Sequence, residues 1–478
     1  MDSTLLAQLQ SPHLFDHPVT ALEVIETHIS WVLLTGPYAY KFRKPVDFGF
    51  LDFTTLGQRQ QDCEEELRLN RRLAASLYVG LTRITQGPEG PEVDGDGEVL
   101  EYAVKMVQFG QEQLLSQLDA HNRLDSDCMQ RLAQHLAAFH RDLPSAPSDS
   151  DWGSPTLLAQ VIGDNFRTIR AQSGAAFESQ LQPLQRWSQQ CLDRLQPLLQ
   201  RRRAEGWVRE CHGDLHLGNI VNWQGQPLPF DCIEFNPRYR WIDTLNDLAF
   251  ILMDLEFRQR HSLAHELLDH YLAASGDYTG AALLPLFKSY RALVRAKVAL
   301  LGDNHERLVL AQRYITLASS YTQTNQPCLT LMYGVSGSGK SYRSSQLVRT
   351  SNAVRLRSDI ERKRLFPQPE GRYHPSASLR TYAHLLEQTE ELLQQGIAVI
   401  VDAAFLREAQ RRPFFEVAAR LQLPIQLIEC SAPTATLIER VQARAAAGGD
   451  PSEATVAVLQ EQLATREPLT PAERAQLK

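Results

Sequence analysis

Runs of apolar residues near the start of the chain predict a small β-rich lobe. Residues 31–45 read WVLLTGPYAYKFRKP, in which two β-rich runs flank Gly36-Pro37, a pair typical of a hairpin turn. A partial apolar stripe among many charges predicts a helix over 56–77, and the run EYAVKMVQF predicts a further strand over 101–109. The lobe therefore combines several strands with one helix.

The pattern after this lobe is mainly helical. Helical periodicity covers 127–141 and 177–203, and it resumes at 243 and continues to about 321. Two segments between these helices, 207–223 and 227–235, read as short strands with loops. The order predicts an α+β bilobal domain over 1–321.

A polar stretch separates this domain from a second one. The residues TQTNQP over 322–327 precede a new apolar strand, so we place a linker there. The second domain is expected over 328–478, with an α/β fold and a parallel sheet.

Composition and charge argue against several classes of protein, including bulk nucleic-acid binders and disulfide-rich or membrane-spanning proteins. The chain has 478 residues, of which 43% are hydrophobic and 22% charged, and its net charge of −7 is not that of a bulk nucleic-acid binder. Seven scattered cysteines without C-x-x-C spacing favour reduced thiols. No apolar run reaches the roughly 18 residues of a membrane span, and the N-terminus lacks the pattern of a secretory signal. We therefore expect a cytoplasmic protein without a membrane contact, and the sequence indicates no oligomeric state.

The most specific motif opens the second domain. Residues 328–341 read CLTLMYGVSGSGKS, an apolar strand that runs into a complete G-x-x-x-x-G-K-S motif. Backbone N–H groups of a glycine-rich turn can approach phosphate closely, and the following helix presents its N-terminus to the same anion. We expect the lysine to contact the outer phosphates and the serine to help hold Mg²⁺. The predicted nucleotide-binding residues are Gly334, Ser336, Gly337, Ser338, Gly339, Lys340 and Ser341.

Three weaker features indicate phosphate transfer in this domain. Asp359 follows a short strand pattern and is a candidate base for an acceptor hydroxyl, although a helix N-cap is the alternative. Asp402 ends an apolar strand and is a candidate magnesium ligand through water, or else a turn carboxylate. Arg440 and Arg444 are four apart on one helix before a glycine-bearing loop, as in a lid over phosphate, or else on a solvated face.

These residues together resemble small P-loop kinases, namely gluconate kinase, the zeta toxins and the kinase domain of polynucleotide kinases. The resemblance covers about 326–466 and implies a five-stranded parallel sheet with ATP and Mg²⁺ dependence. It also implies that the acidic residue after the second strand, here Asp359, activates the acceptor hydroxyl.

A second phosphotransfer constellation lies in the first domain. The segment CHGDLHLGNI places Asp214 and Asn219 five apart, and the apolar strand that follows ends at Asp231. Transfer to a hydroxyl needs a carboxylate near the attacking oxygen and oxygen ligands for Mg²⁺, and this loop offers both. Polar loop packing is the alternative, and the i, i+4 spacing of His212 and His216 also admits a zinc site.

This constellation resembles the aminoglycoside phosphotransferase family over most of residues 20–320. The resemblance implies that Asp214 is the catalytic base and that Asn219 and Asp231 bind Mg²⁺. It further implies that Lys41 pairs with ATP phosphates and that Asp247 orders the catalytic loop.

Some details of this resemblance are open or depart from the family. The helix partner of the strand lysine is expected to be Glu66, with Glu64 and Glu65 as rivals, and the strand lysine itself has an exposed basic strand as its alternative. The glycine-rich loop is reduced to TGPYAYK, and Leu217 stands where the family has proline.

The leading interpretation is a bifunctional kinase that uses ATP or GTP and Mg²⁺ at two sites. The expected partners are nucleotide and hydroxyl-bearing small molecules that the sequence does not identify. One alternative is a nucleotide-dependent regulator in which one half senses ATP. Another is a nucleic-acid 5′-end kinase in the P-loop half, whose channel would be lined by Arg355, Arg357, Arg362, Lys363 and Arg364.

Overall fold

The structure is a computed structural model that describes residues 3–19, 21–47, 49, 51–302, 306–323, 326–368, 372, 374–447 and 452–478. The chain forms two compact units, the first from residues 1–161 and 196–254 and the second from 162–195 and 255–478. Residues 324 and 325 of the predicted linker lie outside the described residues, so the boundary at 322–327 stays a prediction. Within the ranges described, no helix has the length and apolar character that crossing a membrane requires.

A six-stranded antiparallel sheet dominates the first unit. Its strands are β1 Glu23–Glu26, β2 Ser30–Leu34, β3 Tyr38–Arg43, β4 Tyr78–Gly87, β5 Gly90–Val93 and β6 Val99–Val107, in the order β1-β2-β3-β6-β4-β5. As predicted, the β2–β3 hairpin turns at Gly36-Pro37, which places Lys41 opposite Val104 of the central strand β6.

The remaining elements of the first unit are short strands and helices. The strands are β7 Val208–Glu210, β8 Ile220–Trp223, β9 Gln226–Pro229 and β10 Trp241–Asp243, paired as β7 with β10 and β8 with β9. The helices are α1 Ser3–Gln8, α2 Leu56–Ala74, α3 Leu115–Ala120 and α4 Ser126–Asp142. Three further helices contain the points at which the chain passes from one unit to the other: α5 Pro155–Ser173, α6 Glu178–Ala204 and α7 Thr244–Phe257.

Helix α2 shows how the sequence fixes an element beside the sheet. Thr55 begins it with a capping box, in which its hydroxyl accepts a hydrogen bond from the Gln58 N–H and the Gln58 side chain accepts one from the Thr55 N–H. Cys63 and Leu67 pack into an apolar cluster with residues of β3, β4 and β6. The helix also buries a polar row at spacings of three and four: Arg59, Asp62, Glu66 and Asn70.

The second unit contains a parallel sheet. Its strands are β11 Leu329–Tyr333, β12 Val354–Arg357, β13 Val399–Asp402 and β14 Ile425–Glu429, in the order β12-β13-β11-β14. Every residue of β11 is buried, as is typical of the interior of a sheet covered on both faces. The predicted α+β domain followed by an α/β domain is thereby confirmed.

Ten helices of this unit lie in the described part of the chain. They are α8 His261–Ser275, α9 Leu284–Leu301, α10 Arg307–Ser320, α11 Lys340–Thr350, α12 Ser358–Leu365, α13 Pro375–Gln394, α14 Glu408–Arg420, α15 Thr434–Ala447, α16 Val456–Thr465 and α17 Pro471–Arg474. Helix α8 packs against α11 and β12.

The expectation of five parallel strands is wrong for the described residues. The fifth position, beside β14, holds only an isolated parallel bridge between Leu427 and Leu477. The Leu427 N–H donates to the Gln476 carbonyl at 2.8 Å, and the Lys478 N–H donates to the Leu427 carbonyl at 3.0 Å. The chain passes directly from α17 into this bridge, which these two hydrogen bonds hold to β14.

Candidate active sites

The strand lysine of the first unit lies between two carboxylates. Lys41 Nζ is 2.9 Å from Glu66 Oε1 and 2.5 Å from Asp231 Oδ1. The rival glutamates have other partners, since Gln60 donates to Glu64 and Glu65 pairs with Arg68 and Arg240. The structure thus brings Lys41, Glu66 and Asp231 together and excludes the alternative of an exposed basic strand.

A second cation, which the sequence analysis did not single out, lies beneath this lysine. Arg43 is fully buried, and its Nη2 is 2.5 Å from Glu66 Oε2 and 2.6 Å from Glu234 Oε1, while its Nε pairs with Asp62. Lys41 and Arg43 are two apart on β3, so they point to the same face of the sheet. Glu66 is therefore shared, with one oxygen for each cation.

The charges of this cluster shift its pKa values. Burial opposes protonation of Lys41, but the neighbouring Asp231 and Glu66 carboxylates raise its pKa above the ordinary value. Burial likewise opposes ionisation of Asp231, and the Lys41 ammonium prevails and lowers its pKa. For Glu234 burial prevails over the attraction of Arg43 and raises the pKa to about 8.

The predicted catalytic loop is folded back on itself. Asn219 Nδ2 donates to Asp214 Oδ2 at 3.0 Å and to the Asp214 carbonyl at 3.1 Å. His216 Nε2 is 3.5 Å from Asp214 Oδ2, and its Nδ1 accepts a hydrogen bond from the Gly218 N–H. The base candidate and one metal-ligand candidate are therefore adjacent.

Asp247 accepts hydrogen bonds from the backbone at the start of this loop. Its two oxygens accept hydrogen bonds from the His212 N–H at 3.0 Å and the Gly213 N–H at 2.8 Å, and His140 Nε2 lies 3.2 Å from it. Gly213 has a φ of +89°, and a Cβ there would lie 2.9 Å from the Tyr239 carbonyl. The loop thus needs both a buried carboxylate and a glycine.

His212 is a structural residue of the loop and not a zinc ligand. Its Nε2–H donates to the Phe230 carbonyl at 2.8 Å, and its Nδ1 accepts from the Asp214 N–H at 3.3 Å. Burial lowers its pKa, in keeping with a neutral ring. Because both ring nitrogens are engaged, the histidine ties the Asp214 segment to the strand that precedes Asp231.

Two more residues that the sequence analysis missed fix the Asp231 segment. Asp231 has a φ of +62°, which is unusual outside glycine, and its N–H donates to the Tyr78 hydroxyl at 3.2 Å. Asn70 Oδ1 accepts from the Cys232 N–H at 2.9 Å, and Asn70 Nδ2 donates to the Glu66 carbonyl at 2.9 Å. The signal for Asn70 was its spacing of four from Glu66 on α2.

The reduced glycine loop is a tight, fastened turn. The Gly36 N–H donates to Gln108 Oε1 at 2.9 Å, and the Gln108 N–H donates to the Pro37 carbonyl at 3.0 Å. The turn is therefore held against the end of β6, which is a different arrangement from a long glycine-rich flap.

Glycines shape the phosphate loop of the second unit. Gly334, Gly337 and Gly339 have φ values of +148°, +79° and +95°. A Cβ on Gly334 would lie 2.3 Å from the Cys430 carbonyl oxygen, and one on Gly337 would lie 2.9 Å from the Leu437 carbonyl oxygen. Side chains at these positions would force the loop apart.

Polar groups of this loop have few internal partners. Lys340 Nζ donates to the Val335 carbonyl at 2.9 Å, and burial lowers its pKa against the attraction of Asp402. The Ser336 N–H donates to Gln462 Oε1 at 2.8 Å. The Ser338 hydroxyl is buried without a hydrogen-bond partner among the described residues. Such a loop, with glycine-made space and an unpaired buried hydroxyl, fits an anionic ligand.

The carboxylate at the end of β13 meets helix α11 through a serine that the motif did not flag. Asp402 Oδ2 is 3.0 Å from Ser344 Oγ and 3.9 Å from Arg357 Nε. Ser344 Oγ is also 3.1 Å from the Ser341 carbonyl. Ser344 therefore links the two predicted metal-binding residues, Ser341 and Asp402.

One cavity of about 760 Å³ joins the predicted residues of this unit. Asp359 lines it from the first turn of α12, where Arg357 is the N-cap residue, so the N-cap alternative for Asp359 is wrong. The cavity lining includes the following predicted residues: Ser336, Gly337, Gly339, Lys340, Ser341, Asp359, Asp402, Arg440 and Arg444.

The two helix arginines contact neighbouring carbonyls. Arg440 Nη1 donates to the Gly337 carbonyl at 3.3 Å, and Arg444 Nη2 donates to the Ala454 carbonyl at 3.1 Å. They are therefore not merely a solvated face. Residues 448–451 of the predicted lid loop lie outside the described residues.

The basic cluster around α12 does not form a free channel. Arg355 pairs with Asp269, and Lys363 Nζ is 3.0 Å from Glu453 Oε1. Arg364 pairs with Glu361, and Arg362 donates to the Arg372 carbonyl at 2.9 Å. Cations engaged in this way offer little to a phosphodiester backbone. Of the five, only Arg357 and Arg362 line the cavity.

Comparison with known proteins matches both halves. Residues 49–284 match the model of the phosphotransferase enzyme family, and residues 329–469 match that of an AAA domain. An uncharacterized protein of Mycobacterium tuberculosis strain ATCC 25618 / H37Rv is 28% identical over 460 residues, which cover 93% of this chain and 91% of that protein. The resemblance predicted for each half is thereby confirmed.

Solved structures similar to each half are also known. A choline/ethanolamine kinase family protein from Mesorhizobium loti has 11% identity and a TM-score of 0.41, covering 73% of this chain and all of that one (100%). A gluconokinase from Sinorhizobium meliloti 1021 has 21% identity and a TM-score of 0.25, covering 32% of this chain and 81% of that one.

Proposed function

We propose that this chain, in which residues 49–284 form a phosphotransferase-family domain and residues 329–469 an AAA domain, is a bifunctional kinase. Each domain transfers the γ-phosphate of ATP or GTP to a hydroxyl group of a small molecule. The observation that supports the proposal is that each candidate site has a partly buried lysine, Lys41 or Lys340, with carboxylates that attract it, and a further carboxylate for the acceptor.

In the first site we assign Asp214 as the base. Its carboxylate would accept the proton of the acceptor hydroxyl as that oxygen attacks phosphorus. Lys41, held by Glu66, would bind phosphate oxygens. Asn219 and Asp231 offer amide and carboxylate oxygens, the hard donors that Mg²⁺ prefers. The bound ion would neutralise phosphate charge during transfer.

In the second site we assign Asp359 as the base and the glycine-rich loop as the phosphate cradle. Lys340, Arg440 and Arg444 would supply positive charge around the transferred group. Ser341 and Asp402 offer the hydroxyl and carboxylate oxygens that would hold Mg²⁺. Asp359 lines the same cavity, and its carboxylate accepts no hydrogen bond from the described residues, which leaves it available to an acceptor.

We place the reaction in the cytoplasm. The seven cysteines are free thiols, which is the usual state in a reducing compartment. The acceptors remain a class defined by chemistry, hydroxyl-bearing small molecules, and a nucleic-acid acceptor is not favoured because most of the basic cluster is internally paired.

The test is transfer of label from γ-labelled ATP to a small-molecule extract in the presence of Mg²⁺. Asp214→Asn is expected to abolish one set of labelled products and Lys340→Ala another. Asp142→Asn and Lys363→Ala, which change surface ion pairs, are the matched controls. Nucleotide binding without any labelled acceptor would contradict the proposal and favour a nucleotide-dependent regulator.

A further inference from the structure

We propose that Asp269 of α8 is a positioning residue of the P-loop site, which holds Arg355 away from Asp402 and so keeps Asp402 available for Mg²⁺. This inference rests on the proposed function of that site. Asp269 lies before residue 329, outside the matched AAA domain, and does not line the cavity. Its role is therefore exerted through other side chains.

The first step is a buried, two-contact ion pair. Arg355 Nε is 3.0 Å from Asp269 Oδ1, and Arg355 Nη2 is 2.5 Å from Asp269 Oδ2. The side chains are only 5% and 6% exposed. A paired fork of this kind fixes both the position and the orientation of a guanidinium.

The second step is a hydroxyl between this guanidinium and the metal-site carboxylate. Arg355 Nη1 donates to Ser344 Oγ at 3.0 Å, and Ser344 Oγ lies 3.0 Å from Asp402 Oδ2. Because the serine oxygen accepts from the arginine, its single proton is left for one of two acceptors, the Asp402 carboxylate at 3.0 Å or the Ser341 carbonyl at 3.1 Å. Asp402 therefore meets a neutral hydroxyl on the side of Arg355, and the nearest charged nitrogen given for it is Arg357 Nε, at 3.9 Å.

The third step follows from charge. Without the Asp269 carboxylate, Arg355 would be a buried cation without a carboxylate partner, which is an unfavourable state. Asp402 is a carboxylate one serine away, and an arginine that shifts toward it would compete with Mg²⁺ for the same oxygens. Burial lowers the pKa of Arg355, but the Asp269 carboxylate and then the Asp402 carboxylate raise it above the ordinary value, so Asp402 already attracts this arginine.

The chain offers a matched control on the same helix, α8. Glu266 of α8 pairs with Arg349 of α11, with a closest contact of 3.1 Å. That pair joins α8 to α11, whereas the Asp269–Arg355 pair joins α8 to β12. Loss of the Glu266 charge therefore tests the effect of breaking another ion pair of α8.

The experiment uses the full chain in a Lys41→Ala background, which silences the first site. Binding of a fluorescent ATP analogue is titrated with Mg²⁺. We expect Asp269→Asn to raise the half-saturating Mg²⁺ concentration by about tenfold, as for other residues that orient a metal ligand. Glu266→Gln and the charge-preserving Asp269→Glu are expected to leave it unchanged.

A double variant distinguishes the effect of the Arg355 charge on Asp402 from the effect of altered packing around residue 269. Arg355→Met added to Asp269→Asn removes the competing cation and is expected to restore Mg²⁺ dependence. Unchanged Mg²⁺ dependence in Asp269→Asn would overturn the inference, and so would a defect that the double variant does not restore. Weak Mg²⁺ response in Asp269→Glu would overturn it as well, even if Asp269→Asn does not fold. If the parent chain shows no Mg²⁺-dependent binding, the proposed function fails first, and this inference with it.

Discussion

The first candidate site contains a cluster of two cations and four carboxylates. Lys41 and Arg43 lie among Asp62, Glu66, Asp231 and Glu234. The excess of negative charge in a buried place is relieved most simply if one carboxyl keeps its proton. We assign this proton to Glu234, because burial raises its pKa to about 8; burial raises the pKa of Asp62 as well. Asp231 can then stay ionised beside the lysine.

This assignment predicts how stability depends on pH. The Glu234 pKa rises from 4.5 to about 8 on folding, so between these values the folded state binds more protons than the unfolded state. Stability should therefore fall as pH rises through this window, by at most about 1.4 kcal/mol per pH unit from this group. Urea unfolding at a series of pH values measures the slope. Glu234→Gln should flatten it, and the exposed Glu64→Gln should not.

Residues of the first site differ in how far the sequence predicts them. Asp214, Asn219 and Asp231 follow from local spacing alone, because one loop and one strand end carry them. No local sequence pattern indicates that Arg43 and Glu234 belong to the site. They are brought together by a contact between residues 191 positions apart in the sequence. Single-sequence reasoning reads periodicity and motifs, but it does not read which distant side chains meet.

The predicted phosphate loop contains several glycines, so its expected role depends on the conformation of its backbone. Gly334 has φ +148°, and a Cβ there would meet the Cys430 carbonyl at 2.3 Å. Gly396 also has a positive φ, +81°, but has nothing within 4 Å of an added Cβ. Both glycines therefore have a positive φ that disfavours other residues, but only Gly334 lacks room for a Cβ atom.

Gly334→Ala is expected to displace the loop and reduce transfer at the P-loop site by about 100-fold, the order that a misplaced group costs. Products that depend on Asp214 should persist. Gly396→Ala should cost about 1 kcal/mol of stability and leave transfer unchanged. Labelled-product assays on both variants give the comparison, and equal loss in both would show that steric room at Gly334 is not the cause.

Elements with strong periodicity were predicted well, and short ones less so. The helix expected over 56–77 is α2, Leu56–Ala74, and the strand expected over 101–109 is β6, Val99–Val107. The fifth parallel strand is the exception, because its place is taken by one bridge at Leu477. The resemblance implies the usual number of strands, whereas the described residues form four strands and this one bridge.

At the scale of the whole molecule, the helices after residue 255 belong with the P-loop domain in one compact unit. Tyr278 donates to Glu361 at 2.8 Å, and Arg364 Nη2 donates to the Ala273 carbonyl at 2.6 Å. With the Asp269 pair, these contacts bury charges on both sides. The polar composition of 322–327 did not predict these contacts. A polar stretch indicates that a linker is exposed to solvent, but it does not indicate how the helices before it pack against the domain after it.

A fragment that starts at 328 should therefore be less stable than one that starts at 255. Arg355 and Glu361 would lose buried partners, and breaking one buried ion pair costs about 3–5 kcal/mol. Thermal unfolding of the two fragments measures the difference. Equal unfolding temperatures would contradict the role assigned to the intervening helices.

The same buried pairs bear on how such a gene can be rearranged. Recombination at the codons for the polar stretch would deliver a P-loop module whose Arg355 has no carboxylate opposite it. A lineage that kept the second activity alone would have to retain the codons of α8 or replace Arg355 in the same step. A junction that keeps this ion pair therefore lies upstream of His261, inside the segment 49–284 that matches the phosphotransferase enzyme family.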